Sequence, residues 1–181
     1  PIRVGVNSGS LEKDILEKNG GVTAEGLAES ALRNVRLLEQ MDFDDLVISL
    51  KASDVRLNYE AHKLIAEKTE HPIHIGITES GTVNGGKLKS AIGIGSLLLA
   101  GIGDTMRVSL TGDPVKEVLF AKEILKSIGI RPSGINLVSC PTCGRTQVDL
   151  EHISLQIEEA VAKIEPRREA KGLPPITVAV M

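Results

Sequence analysis

Leu46-Val47-Ile48-Ser49-Leu50-Lys51, then Ser53-Asp54 with Ala61, Leu64 and Ile65 behind it, then Ile73-His74-Ile75-Gly76-Ile77-Thr78, is the stretch that decides the fold. The first and last runs are short, aliphatic and rich in β-branched residues, as strands buried in a parallel sheet are. Between them, Ser53 or Asp54 can begin a helix whose apolar residues recur at helical spacing. Strand, helix, strand in that order is the β-α-β unit of a parallel sheet.

The pattern extends in both directions. Strand-like runs recur at Arg3 to Asn7, Met106 to Leu110 and Ile135 to Ser139. Thr23 caps a helix predicted over Ala24 to Met41, with Leu27, Ala31, Val35 and Leu38 on one stripe. A Gly/Ala-rich helix is expected over Lys87 to Ala100. Pro114 occupies the first turn of another, running through Val118, Ala121 and Leu125 to a stop at Gly129. Most units repeat at about 30 residues, the spacing of a (β/α)8 barrel. Gly9 to Val22 stands out as a long loop of the functional kind.

After Arg145 the pattern changes. A helix from about Leu150 to Ile164, a charged linker from Glu165 to Gly172 and a final strand suggest the start of a second domain, giving an expected division into 1–138 and 139–181. Arg167-Arg168 reads as a solvated turn within that linker. Both ends fall inside strand-like runs, so the chain reads as a piece of a longer one.

Composition excludes several classes. The 181 residues are 41% hydrophobic with formal net charge -3, which suits ordinary globular domains. Aromatics make up 2%, so stacking platforms for single-stranded nucleic acid are lacking. Ile92 to Ile102 is too short to span a bilayer and is interrupted by glycine, and no signal peptide is visible. These features point to a cytoplasmic protein with neither nucleic-acid nor membrane partners.

Barrels place their chemistry at the carboxyl ends of the strands. Asn7 closes the first strand here, Lys51 the second, Glu79 follows the third, and Arg107 and Ser109 share a face of the fourth. With Arg3, the cations Lys51 and Arg107 are what an anionic substrate such as a phosphate ester requires. Glu79 would serve as general acid, base or orienting group, or simply as a carboxylate favoured at a helix N-terminus. The Gly81 to Gly86 run is a weak candidate phosphate loop, Gly101 to Asp104 a helix cap and turn, and His74 a hydrogen-bonded core residue.

Cys140 and Cys143, the two cysteines of the chain, follow the fifth strand as Cys140-Pro141-Thr142-Cys143. That spacing serves half a zinc site, a dithiol redox pair, two ligands of an iron-sulfur cluster, or two unrelated thiols. Metal would demand partners from elsewhere.

Five ordered strings carry a resemblance. Arg3-Val4-Gly5-Val6-Asn7-Ser8-Gly9-Ser10-Leu11, Ser49-Leu50-Lys51-Ala52-Ser53-Asp54, Gly76-Ile77-Thr78-Glu79-Ser80-Gly81, Gly103 to Thr111 and Ser139 to Arg145 together resemble the bacterial 4-hydroxy-3-methylbut-2-enyl diphosphate synthases of isoprenoid biosynthesis. The resemblance runs the length of the chain. It implies the later part of a TIM barrel followed by the beginning of a small α+β domain carrying a 4Fe-4S cluster. It also implies an iron-sulfur oxidoreductase that reduces 2-C-methyl-D-erythritol 2,4-cyclodiphosphate with electrons from flavodoxin or ferredoxin, and a homodimer. On that pattern Arg3, Asn7, Lys51, Arg107 and Ser109 hold the substrate, Glu79 is the acidic group near the reacting carbon, and Cys140 and Cys143 are cluster ligands. The family's third cysteine and a glutamate would follow Met181, and its first barrel strands would precede Pro1, so this piece alone is expected to be inactive. A structural zinc module, or an aldolase-like barrel with Lys51 as Schiff-base amine, are the rival readings.

Overall fold

The computed structural model describes residues 1–131, 134–140 and 147–180. It divides into two compact units, Pro1–Ile128 and Gly129–Met181.

In the first unit, β1 (Ile2–Asn7) pairs in parallel with β2 (Leu46–Lys51) over six residues, from Ile2 opposite Leu46 to Asn7 opposite Lys51. β3 (His74–Gly76) pairs in parallel with β4 (Thr105–Arg107). A bridge between Ile48 and Ile73 joins the two ladders, giving the order β1-β2-β3-β4. Consecutive strands therefore lie side by side, as in a barrel wall.

Helices follow the strands as the sequence predicts. α2 (Ala24–Glu39) starts where the Thr23 hydroxyl accepts the Gly26 N–H at 3.0 Å. α3 (Val55–Ala66) starts where Asp54 accepts from Leu57 N at 2.7 Å. α5 (Pro114–Ser127) starts at Asp113, with Pro114 in its first turn. Each turns an aliphatic stripe toward the sheet. Leu27, Ala31, Ile48, Leu50, Ala61, Ile65 and Ile75 are fully buried between the layers. At about 25 cal/mol per Å2 of apolar area, this layer dominates the stability of the unit.

Three local expectations need correction. Residues 9–22 are not a structureless loop, because α1 (Lys13–Asn19) occupies their centre and buries Ile15 completely. Gly26 permits this: a Cβ there would meet Ile15 Cγ2 at 3.2 Å and Leu11 Cδ2 at 3.3 Å. The glycine-rich run is chiefly the first turn of α4 (Val83–Leu99). Gly86 is small for packing, since a Cβ would stand 2.8 Å from Leu110 Cδ2. On α5 the buried residue is Ile124, while Val118 faces outward.

The second unit contains β5 (Ile135–Ser139), α6 (Leu150–Ala170) and β6 (Ile176–Val180), with β5 and β6 parallel. The expected break at 164 is absent. α6 continues through Pro166 and Arg167-Arg168 to Ala170, so the arginines lie in a helical last turn and not in a linker. A helical proline costs about 3 kcal/mol. Contacts on either side of it favour the helix: Glu165 accepts the Ile135 N–H at 3.0 Å, and Arg168 donates to the Pro174 carbonyl at 2.8 Å.

Among the described residues no helix is long and apolar enough to cross a membrane.

Candidate functional site at the strand ends

Parallel register decides which side chains meet. Asn7 stands opposite Lys51, and Gly76 opposite Arg107. Continuing the Ile48–Ile73 bridge by three residues sets Lys51 beside Gly76. One row across four strands therefore reads Asn7, Lys51, Gly76, Arg107. The row beneath it, two residues earlier on each strand, reads Gly5, Ser49, His74, Thr105. Arg3 lies one step further down β1, on the same face. The opposite face carries Val4, Val6, Ile48, Leu50 and Ile75, all buried toward the helices.

Lys51 feels the other two cations of this face. Lys51 is half-buried, and its ammonium is held below the usual lysine range first by desolvation and then by the charges of Arg3 and Arg107. A half-buried ammonium in the field of two guanidinium groups is unfavourable unless an anion lies beside it. Glu117, in the first turn of α5, gives only a distant balance: its Oε2 is 3.9 Å from Arg107 Nε, while its Oε1 accepts the Leu110 N–H at 2.8 Å.

The loops beyond the strands are tied together. The Ser80 hydroxyl donates to the Ser109 carbonyl, and Thr111 Oγ1 donates to the Gly81 carbonyl at 3.4 Å. Just before these ties Glu79 is exposed and has a left-handed backbone, φ 51°. A non-glycine residue in that region costs about 1 kcal/mol or more, and such outliers gather at functional sites. On the β2 side, buried Asn58 accepts the Ala52 N–H at 3.2 Å and fixes the turn just after Lys51.

Arg3, Lys51 and Arg107 are thus brought into one electrostatic field, with Asn7 in register beside Lys51. Glu79 and Ser109 sit on linked loops past the ends of β3 and β4. Cys140 is exposed after β5 in the second unit, and its N–H bonds the Val180 carbonyl at 2.9 Å. Cys143 lies outside the described residues. A 550 Å3 groove beside Cys140 is lined by Ser139, Glu151, Ser154 and Glu158. No group of three potential metal ligands converges among the described residues. One thiolate suits one corner of an iron-sulfur cluster, but the described donors do not by themselves fit a complete one.

Sequence reasoning missed Glu117 and Ser80, whose roles depend on neighbouring loops. It read His74 as a hydrogen-bonded core residue, and His74 is indeed buried, with Nδ1 2.9 Å from Thr105 Oγ1. What it did not foresee is the field. Desolvation first, then Lys51, Arg3, Arg107 and His62, push the imidazole from 6.5 down to about 4.

This sets a pH dependence. An unfolded imidazole protonates near 6.5, whereas the folded one stays neutral to about 4. The stabilisation is complete above pH 6.5 and is lost as pH falls toward 4, by about 1–2 kcal/mol after allowance for solvent screening. Buried His62 acts in the same direction. Urea midpoints at pH 7 and 4.5 should differ accordingly, and by less in His74→Gln; equal differences in the two proteins would contradict the assignment.

Parallel strands with helices between them, and polar residues gathered past the strand ends, define a domain of the β/α-barrel class. A family model described as the GcpE TIM-barrel domain matches residues 1–122. The chain belongs to the GcpE family. It is 59% identical over 164 residues (91% of this chain, 46% of the relative) to a protein of Ruminiclostridium cellulolyticum named 4-hydroxy-3-methylbut-2-en-1-yl diphosphate synthase (flavodoxin). Proteins of the same name from Caldanaerobacter subterraneus and Bacillus subtilis are 53% and 51% identical over all 181 residues, which cover 49% and 46% of those relatives. The chain spans about half the length of the curated relatives it matches.

Proposed function

We propose that this chain is the substrate-holding part of a 4-hydroxy-3-methylbut-2-enyl diphosphate synthase, an oxidoreductase that reduces 2-C-methyl-D-erythritol 2,4-cyclodiphosphate in isoprenoid biosynthesis. The observation that carries this reading is the placement of Arg3, Lys51 and Arg107 on one sheet face, with Lys51 in the field of both arginines, in a chain 51–59% identical to proteins so named. Guanidinium and ammonium groups bind phosphate oxygens through charge-assisted hydrogen bonds. Asn7 and Ser109 would complete the contacts to diphosphate and hydroxyl oxygens. Glu79, held outward on a strained turn, would be the acidic group near the reacting carbon.

Cys140 and Cys143 would be two ligands of a 4Fe-4S cluster in a second domain, with further ligands supplied from outside this chain. The domain boundary would fall near 138/139, although the compact units part ten residues earlier. The cluster would supply electrons to the substrate, themselves drawn from flavodoxin, the word the relatives carry in their names. A cytoplasmic homodimer is the assembly we propose.

Calorimetric titration of a complete enzyme bearing these residues with the cyclodiphosphate tests the site. Lys51→Ala and Arg107→Ala should each weaken binding by about 1.5–3 kcal/mol, roughly tenfold to more than a hundredfold. Affinities equal to wild type in both variants would remove the diphosphate from this face. The depressed Lys51 ammonium would also suit a Schiff-base amine. Borohydride trapping of a carbonyl ligand at Lys51 would favour that aldolase-like reading.

A further inference from the structure

His74 shares its sheet face with the cations but is not one of them. It lies two residues before Gly76 on the same face, and Gly76 contributes no side chain to the row between Lys51 and Arg107. The imidazole beneath that row is itself buried. Thr105 Oγ1 holds Nδ1 at 2.9 Å, and buried Nε2 has no hydrogen-bond partner among the described residues. A hydroxyl can donate to a bare ring nitrogen or accept from a protonated one, so this contact tolerates either charge state. The charged and titratable groups that act on the ring are Lys51 on β2, Arg3 on β1, Arg107 on β4 and His62 on α3. Just before β3, Asp104 Oδ2 accepts the Ile73 N–H at 2.7 Å, and no carboxylate is among the groups that act on the ring.

We propose that His74 is a proton-taking partner of the anion site: when a diphosphate diester lies across Lys51, Gly76 and Arg107, the imidazole takes a proton from solvent and becomes a fourth positive charge. This rests on the anionic-substrate reading above. In the empty site three cations oppose a fourth. A ligand with two negative charges offsets two of the three cations, so the Coulomb part of the opposition falls and the proton affinity of the imidazole rises, although burial of the ring still disfavours the charge. Binding and protonation are then linked, each strengthening the other by the same factor.

The test follows the histidine ring protons of this chain by NMR between pH 3.5 and 7.5, with and without P1,P2-dimethyl diphosphate, whose two acids stay ionised throughout. His74→Gln, or His74→Asn should that fail to fold, assigns the resonance among the four histidines. The expected result is a midpoint near 4 for the free protein. With the ligand, the proton affinity of His74 should rise at least about tenfold. Calorimetry at pH 5 in two buffers of different ionisation enthalpy should show proton uptake on binding by wild type and none by the His74 variant, which still binds. Binding that leaves the His74 titration unmoved, or uptake that persists in the variant, overturns this proposal and leaves the anion site intact. Absence of binding to wild type overturns both.

Discussion

Glu79→Gln, in a complete synthase carrying these residues, is expected to lower turnover by about a hundredfold or more while changing substrate affinity only about threefold. The amide keeps the size and much of the hydrogen bonding of the carboxylate but can neither release a proton nor stabilise positive charge. The backbone separates this role from a structural one. Glu79 has a left-handed φ of 51°, in a turn closed by Ser80 on Ser109. If it served only the helix that follows, evolution of the turn alone would favour glycine there. Glu79→Gly should therefore leave stability unchanged within about 0.5 kcal/mol, because relief of strain offsets the added chain entropy, and should still abolish turnover. Steady-state kinetics with a chemical reductant read both variants. Wild-type turnover in Glu79→Gln would return the residue to the role of a helix-terminal charge.

Gly76→Ala should destabilise the first unit by about 3 kcal/mol. A Cβ at Gly76 would lie 2.7 Å from the carbonyl oxygen of Arg107, an atom of the paired strand that cannot move without breaking the β3–β4 ladder. Gly85→Ala is the control, since its Cβ would meet nothing closer than 3.8 Å. It lies inside α4 and should be neutral or slightly stabilising. Denaturant midpoints measured together distinguish the two, and similar midpoints would show that the β4 backbone yields more easily than the register implies. Because Gly76 separates Lys51 from Arg107, any surviving Gly76→Ala protein should also bind anions less well.

The helices capped by Thr23 and Asp54 were legible because a cap and an apolar stripe are both local signals, and the start of α5 was legible because Pro114 marks a first turn. Strand-end residues Asn7, Lys51 and Arg107 were legible because a barrel rule turns position along a strand into position in space. The reading failed where a distant contact outweighed a local signal. Val118 has helical spacing, yet Ile124 is the residue that α5 buries. Pro166 looks like a breaker, yet α6 continues, with Glu165 on the Ile135 N–H and Arg168 on the Pro174 carbonyl flanking the proline.

By itself the sequence determined the alternation of strand and helix, the family, and which polar side chains stand at the strand ends. Only the tertiary structure decided which of them interact. Register set Asn7 beside Lys51, placed Gly76 with no side chain between Lys51 and Arg107, and put His74 two residues before it in the field of Arg3, Lys51 and Arg107. The physical reason is range. Propensity and capping act over a few residues of chain, whereas desolvation and Coulomb forces act over ångströms of space, across the seventy residues between Arg3 and His74.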